Sequence, residues 1–218
     1  MYRLLARRLN KSQRAITGIE TAIILIAFVV VAAVFSYVAV SSGLFATQKS
    51  QEAIYNGLQE AQGATVIRGG IVCMAENIGE SGYISQMTFT LSNAMGGQPI
   101  DFTGPSPDPG NTGLSGSDSG NKVIISYIDA FQKVDDLYWV LTKMGGCNDN
   151  NLLEANELFQ VTIGNPVAGE NGGNLVDALT HHLGTDTKFC LQVTTPVGST
   201  LTIERTSPSF IDAVCNIN

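Results

Sequence analysis

Residues 16–48 read ITGIETAIILIAFVVVAAVFSYVAVSSGLFATQ, and this stretch decides the architecture. From Thr21 to Gln48 it holds 28 residues without one charge, and Ile23 to Val40 is an 18-residue run broken only by Ser36 and Tyr37. As a helix, that run is long enough to cross a bilayer and too long for a secretory h-region. Ahead of it, MYRLLARRLNKSQRA carries Arg3, Arg7, Arg8, Lys11 and Arg14 and no acid. The positive-inside rule keeps this leader in the cytoplasm and sends the rest of the chain outward.

The first half of the expected helix is apolar on every side, which requires burial all round, in lipid or among other helices. Small residues run through it (Ala27, Ala32, Ala33, Ser36, Ala39, Ser41, Ser42, Gly43), and small residues let helix backbones approach closely. From Leu44 the pattern turns amphipathic, with Ile54, Leu58, Ala61 and Thr65 at helical spacing and Lys49, Glu52 and Glu60 off that line. Gly57, Gly63 and Gly69-Gly70 weaken the helix, which is expected to end near Arg68. About 50 residues at ~1.5 Å each make a rod of roughly 75 Å. A bilayer core is only ~30 Å thick. Such a rod has to find neighbours.

From Ile71 the pattern changes to short β-branched and aromatic runs. These are Tyr83–Leu91, Lys122–Ile128, Tyr138–Thr142, Leu158–Ile163, Lys188–Thr194 and Thr200–Arg205, divided by Gly, Pro and Asn clusters. About seven strands in this region fit an immunoglobulin-like antiparallel β-sandwich. The fold class is therefore α+β, a long N-terminal hydrophobic helix followed by that sandwich. Thr195–Thr200 reads as a hairpin turn, and Gly96–Asn121 as a polar, turn-rich surface loop. Leu175–His182 is expected to be a short helix in a second long loop, with Trp139, Tyr138 and Phe159 in the core.

Net charge is −7, and the leader holds five of the twelve basic residues. A chain starting at Ile16 carries seven bases against nineteen acids, a net charge of −12. That argues against nucleic-acid binding, whose mark is a basic face. Cys73, Cys147, Cys190 and Cys215 all fall on the expected outer side and form no CxxC, so a zinc site is poorly supported. One or two disulfides, with three full pairings open, or four buried free thiols both fit. No phosphate loop, GxSxG, HExxH or nucleophile–base grouping is present, so no enzyme is expected. His181 and His182 are adjacent, point to different sides and make a poor metal pair.

The junction Gln13-Arg14-Ala15-Ile16-Thr17-Gly18-Ile19-Glu20 has a basic leader, Arg-Ala, a Gly three residues on and an acid at the fifth position. It resembles the class III signal of the type IV pilin and archaeal flagellin (archaellin) superfamily. GIETAIILIAFVVVAAVFSYVAV followed by GLFATQKSQEA looks specifically like archaellins. The resemblance is strong from Arg14 to about Glu60 and general beyond it. It implies cleavage between Ala15 and Ile16 by a membrane-bound prepilin-type peptidase, with Arg14, Gly18 and Glu20 as signal residues. The divisions are then a leader at 1–15, a filament-forming helix at 16–68 and an outer β domain at 69–218. The apolar side chains Ile23, Ile26, Phe28, Val30, Val34, Phe35, Tyr37 and Val40 would form the filament core. Glu20 would pair with the freed amine of Ile16, in the same or a neighbouring subunit. The alternative is a helix-start acid favoured by the dipole and facing lipid headgroups.

Within the β region, Cys147-Asn-Asp149-Asn-Asn151-Leu-Leu-Glu154-Ala-Asn-Glu157 places oxygen side chains at alternate positions of a tight loop, as a calcium site can. It is no EF-hand, being too short and lacking the central Gly. It resembles an archaellin loop that in some members holds a metal, which implies Asp149, Asn151 and Glu157 as Ca²⁺ ligands and Glu154 after them. A plain Asx-rich turn explains the same residues. The only Asn-Xaa-Ser/Thr sequon, Asn10-Lys11-Ser12, lies in the leader, a departure from the many N-glycosylated archaellins.

The reading is a structural subunit of the archaeal swimming filament, extracellular once assembled. Its precursor waits in the cytoplasmic membrane. Its partners would be copies or paralogues of itself, the peptidase, an assembly platform and a separate motor. An adhesive archaeal pilin, or an uncleaved single-pass protein with a β binding domain, are the alternatives.

Overall fold

The computed structural model describes residues 2–94 and 97–217, with side chains from Gly18 onward. The chain forms two compact units, Met1–Asn56 and Gly57–Asn218. Helix α1 spans Tyr2–Gln62. It stops six residues short of the expected end at Arg68, for a local reason. Gly63, whose backbone freedom disfavours helix, closes the last turn by donating its N–H to the carbonyl of Gln59 at 3.1 Å. Three β-branched residues follow, and these are stiff and favour extended backbone. They form β1 (Thr65–Ile67), antiparallel to β3 (Tyr83–Asn93), with Thr65 opposite Asn93.

The second unit is built of antiparallel sheet. One six-stranded sheet runs in the order β12 (Val214–Ile217), β2 (Ile71–Asn77), β3, β9 (Leu158–Ile163), β7 (Trp139–Met144), with β1 also on β3. A four-stranded sheet runs β11 (Thr200–Thr206), β10 (Lys188–Thr194), β5 (Ile124–Asp129), β6 (Lys133–Val134). Between Asn93 and Leu158, β4 (Ile100–Asp101) pairs with β8 (Leu152–Leu153). All six runs picked out by alternation are strands. The described residues hold twelve strands rather than about seven, because pairs as short as β4, β6 and β8 carry no period to read.

Both large sheets face one core. Phe89, Leu91, Phe159, Val161 and Ile163 from one sheet and Ile125, Tyr127, Phe189 and Leu191 from the other are buried in a single cluster. Fully burying side chains of this size stabilises by roughly 1.5–3 kcal/mol each. Trp139 and Phe159 lie in that core, as expected, while Tyr138 is only partly buried.

The stretch Gly96–Asn121 differs from expectation. It supplies β4 and drives Ile100 and Phe102 into the core, so it is not only a surface loop. The Phe102 ring packs edge-on against Phe159, centroids 5.8 Å apart. The Thr195–Thr200 hairpin turn is present: Thr195 donates its N–H to Ser199, and Gly198 takes a left-handed φ of 92° that a side chain would resist. Helix α2 covers only Leu175–Ala178, shorter than the expected run to His182. Asn174 and Asp177 form a capping box at its start. Leu179 is already extended and, with Leu183, turns into the core.

Candidate assembly surface

Helix α1 is long and apolar enough to cross a membrane over Gly18–Gln62. Its large apolar side chains are exposed on all sides. Ile23, Ile26, Phe28, Val30, Val34 and Val40 are more than half exposed, and Phe35 and Tyr37 each reach 75%. Val30, Val31, Val34, Phe35 and Val38 together line a shallow apolar concavity. Exposed apolar surface on this scale marks an interaction surface. At ~25 cal/mol per Å², covering it is a strong drive toward association or lipid. Gly43, like Gly18 and Gly57, has open space around its Cα, room in which another backbone could approach. Lys49 and Glu52 form an ion pair at 2.7 Å beyond the apolar run. Glu20 is exposed at the run's start. The side chains of Arg14, Ala15 and Ile16 lie outside the described residues.

In the second unit, the loop from Cys147 to Glu157 is held by its own main chain. Glu157 is the latch: Oε1 accepts the N–H of Asn148 at 3.1 Å and Oε2 that of Glu154 at 3.0 Å. Asn148 and Asn150 make Asx turns, accepting from the N–H groups of Asn150 and Leu152. Asp149 and Asn151 take part through their carbonyls, which accept from Lys143 Nζ and from the N–H of Phe102. No group of three or more His, Cys, Asp or Glu that could hold a metal ion occurs among the described residues. Each Glu157 oxygen thus accepts one main-chain N–H, and the two bonds close the loop.

Three features went unread in the sequence. Asp129 forms a node after β5: Oδ1 accepts from the N–H groups of Phe131 (2.6 Å) and Gln132 (2.9 Å), and Oδ2 from Tyr127 (2.9 Å) and Gln132 Nε2 (3.2 Å). Burial alone would raise this carboxyl, but the four donors together hold it below its usual range. Gln132 in turn accepts from the N–H of Thr180 and donates to the carbonyl of His181. His181 and His182 stack on different rings, Phe131 and Tyr83. The third feature is an uncharged row across five strands. Asn216, Val72, Thr88, Thr162 and Val140 stand side by side in register, on the face opposite the core residues. Sequence alone cannot show it, because pairing register assembles it.

The chain thus couples an exposed apolar helix to a β domain whose polar groups serve structure. The archaeal-type flagellin family profile matches residues 15–205. A probable flagellin 1 of Archaeoglobus fulgidus is 35% identical over 212 residues, covering 95% of this chain and 96% of the relative. A probable flagellin 2 of the same organism is 30% identical over 210 residues, with 93% and 94% covered. Among solved structures, the archaeal flagellum of Methanospirillum hungatei strain JF1 is similar with a TM-score of 0.54 at 26% identity, covering 92% of this chain and 98% of that one. The chain belongs to the archaeal-type flagellin family, as a structural, non-enzymatic subunit of the archaellum filament.

Proposed function

We propose that the chain is made as a membrane precursor, cut between Ala15 and Ile16, and polymerised through the helix that the cut leaves at its N-terminus. The observation that carries this reading is the length of helix α1 and the exposure of its apolar side chains from Ile23 to Val40. In the precursor, lipid covers Ile23–Val40; in the filament, the same helix of many copies does. Because the leader carries five positive charges, its removal also lets the helix leave the cytoplasmic face of the membrane. A self-associating surface whose rotation does not close a ring builds an open helical polymer.

Glu20 faces a cost in such a core unless paired, and the amine freed at Ile16 is a partner of opposite charge. The uncharged row from Asn216 to Val140 gives neighbouring β domains a contact free of like-charge repulsion, in a subunit whose net charge is otherwise acidic. A prepilin-type peptidase, an assembly platform and a separate motor complete the partners. The test is the N-terminal sequence and intact mass of the subunit in isolated filaments. A start at Ile16 is expected, whereas a start at Met1 would end the processing reading.

A further inference from the structure

The pairing register brings two of the four cysteines together. Cys215 on β12 stands directly opposite Cys73 on β2, between the neighbouring pairs Val214–Met74 and Asn216–Val72. Directly opposed residues of an antiparallel ladder point to the same face, with Cα atoms about 4.5 or 5.5 Å apart according to the type of pair. Both values lie inside the ~4.4–6.8 Å that a disulfide spans. We propose that Cys73 and Cys215 form a disulfide in the exported subunit and that Cys147 and Cys190 remain thiols.

The surroundings of the other two cysteines support that division. Cys147 Sγ donates to the carbonyls of Met144 (2.9 Å) and Leu158 (3.4 Å), while Cys190 lies opposite Ile128 and Glu204. Neither has a thiol across from it. Of the pair, Cys73 is buried and Cys215 partly exposed, on a strand at the sheet edge. Burial pushes the Cys73 thiol well above its ordinary range, and the adjoining Cys215 pushes it further. Burial raises Cys215 too, against the hydrogen bond from Cys73.

The chemistry needs a disulfide oxidant, either a low-molecular-weight disulfide or a dithiol–disulfide oxidoreductase. The Cys215 thiol, the more accessible, loses its proton and attacks that disulfide, giving a mixed disulfide and releasing one thiol of the oxidant. Cys73 then loses its proton and attacks Cys215 Sγ, expelling the second. Two cysteine thiols become one S–S bond, and the oxidant leaves reduced by two electrons and two protons. The product ties β12 to β2, the two strands that pair at this edge of the large sheet.

The full chain, in detergent micelles that cover helix α1, is treated with oxidised glutathione, denatured, and alkylated with N-ethylmaleimide without reduction. Peptide mapping by mass spectrometry is expected to recover Cys73 and Cys215 as one cross-linked pair that reduction separates. Cys147 and Cys190 should carry maleimide or glutathione and no protein bridge. In Cys215→Ser, Cys73 should carry a small adduct instead of a bridge. Cys73 and Cys215 both alkylated after oxidation of the parent chain, or either one bridged to Cys147 or Cys190, overturns the proposal.

Discussion

The Phe102 ring meets the Trp139 indole edge-on, with centroids 6.3 Å apart and planes at 76°. Phe102 comes from a Gly- and Pro-rich stretch, yet it is fully buried and also packs on Phe159. Phe102→Ala should cost about 3–5 kcal/mol, the range for truncating a buried aromatic. Denaturant unfolding of the full chain in detergent, followed by Trp139 fluorescence, measures it. A loss under about 1 kcal/mol would mean that the loop does not anchor the core.

Acid should loosen the Asp129 node. Its carboxyl is held below the ordinary value, so the stability it gives is present above the unfolded-state pKa of about 4 and lost as pH falls through the lower folded-state value. Asp129→Asn should be less stable than the parent at pH 7 and should lose less stability between neutrality and pH 3. Parallel thermal melts at both pH values decide this. Equal acid sensitivity would contradict the assignment.

Removing the Glu157 latch strands two main-chain donors. Glu157→Ala leaves the N–H groups of Asn148 and Glu154 to water, at a cost of about 1 kcal/mol because the site is mostly exposed. If main-chain donors are the carboxylate's sole partners, calcium chelation should leave the melting temperature of the parent unchanged. A fall on chelation that Glu157→Ala abolishes would instead establish a bound cation.

Charge in the apolar helix should stop assembly without unfolding the β domain. Phe35→Asp puts a carboxylate where polymerisation would bury it, a cost that no partner offsets. Electron microscopy should show loss of filaments while the β-sheet signal in circular dichroism persists. Filaments of normal length from this variant would remove Phe35 from the core.

Much of this was legible because the signals are local. An 18-residue apolar run behind a basic leader needs no tertiary information, and strands such as Leu158–Ile163 announce themselves by alternation. What stayed hidden depends on pairing. Phe102 looked like loop because it follows a strand, β4, that is only 2 residues long and pairs with Leu152–Leu153 far along the chain. The helix end at Gln62 was missed because Thr65 falls at helical spacing with Ile54, Leu58 and Ala61, and its place opposite Asn93 on β3 comes only from pairing. The same holds for Asp129, whose carboxylate reads as surface charge until Tyr127, Phe131 and Gln132 close round it. Four cysteines left three pairings open until register set Cys215 against Cys73.

β12 stands at one end of the strand order of the large sheet and pairs there with β2 alone. A strand at a sheet edge offers main-chain donors and acceptors to any further strand that reaches it. β12 is only 4 residues long, and a short edge strand limits such pairing. That brevity keeps crowded copies of the domain from zipping edge to edge.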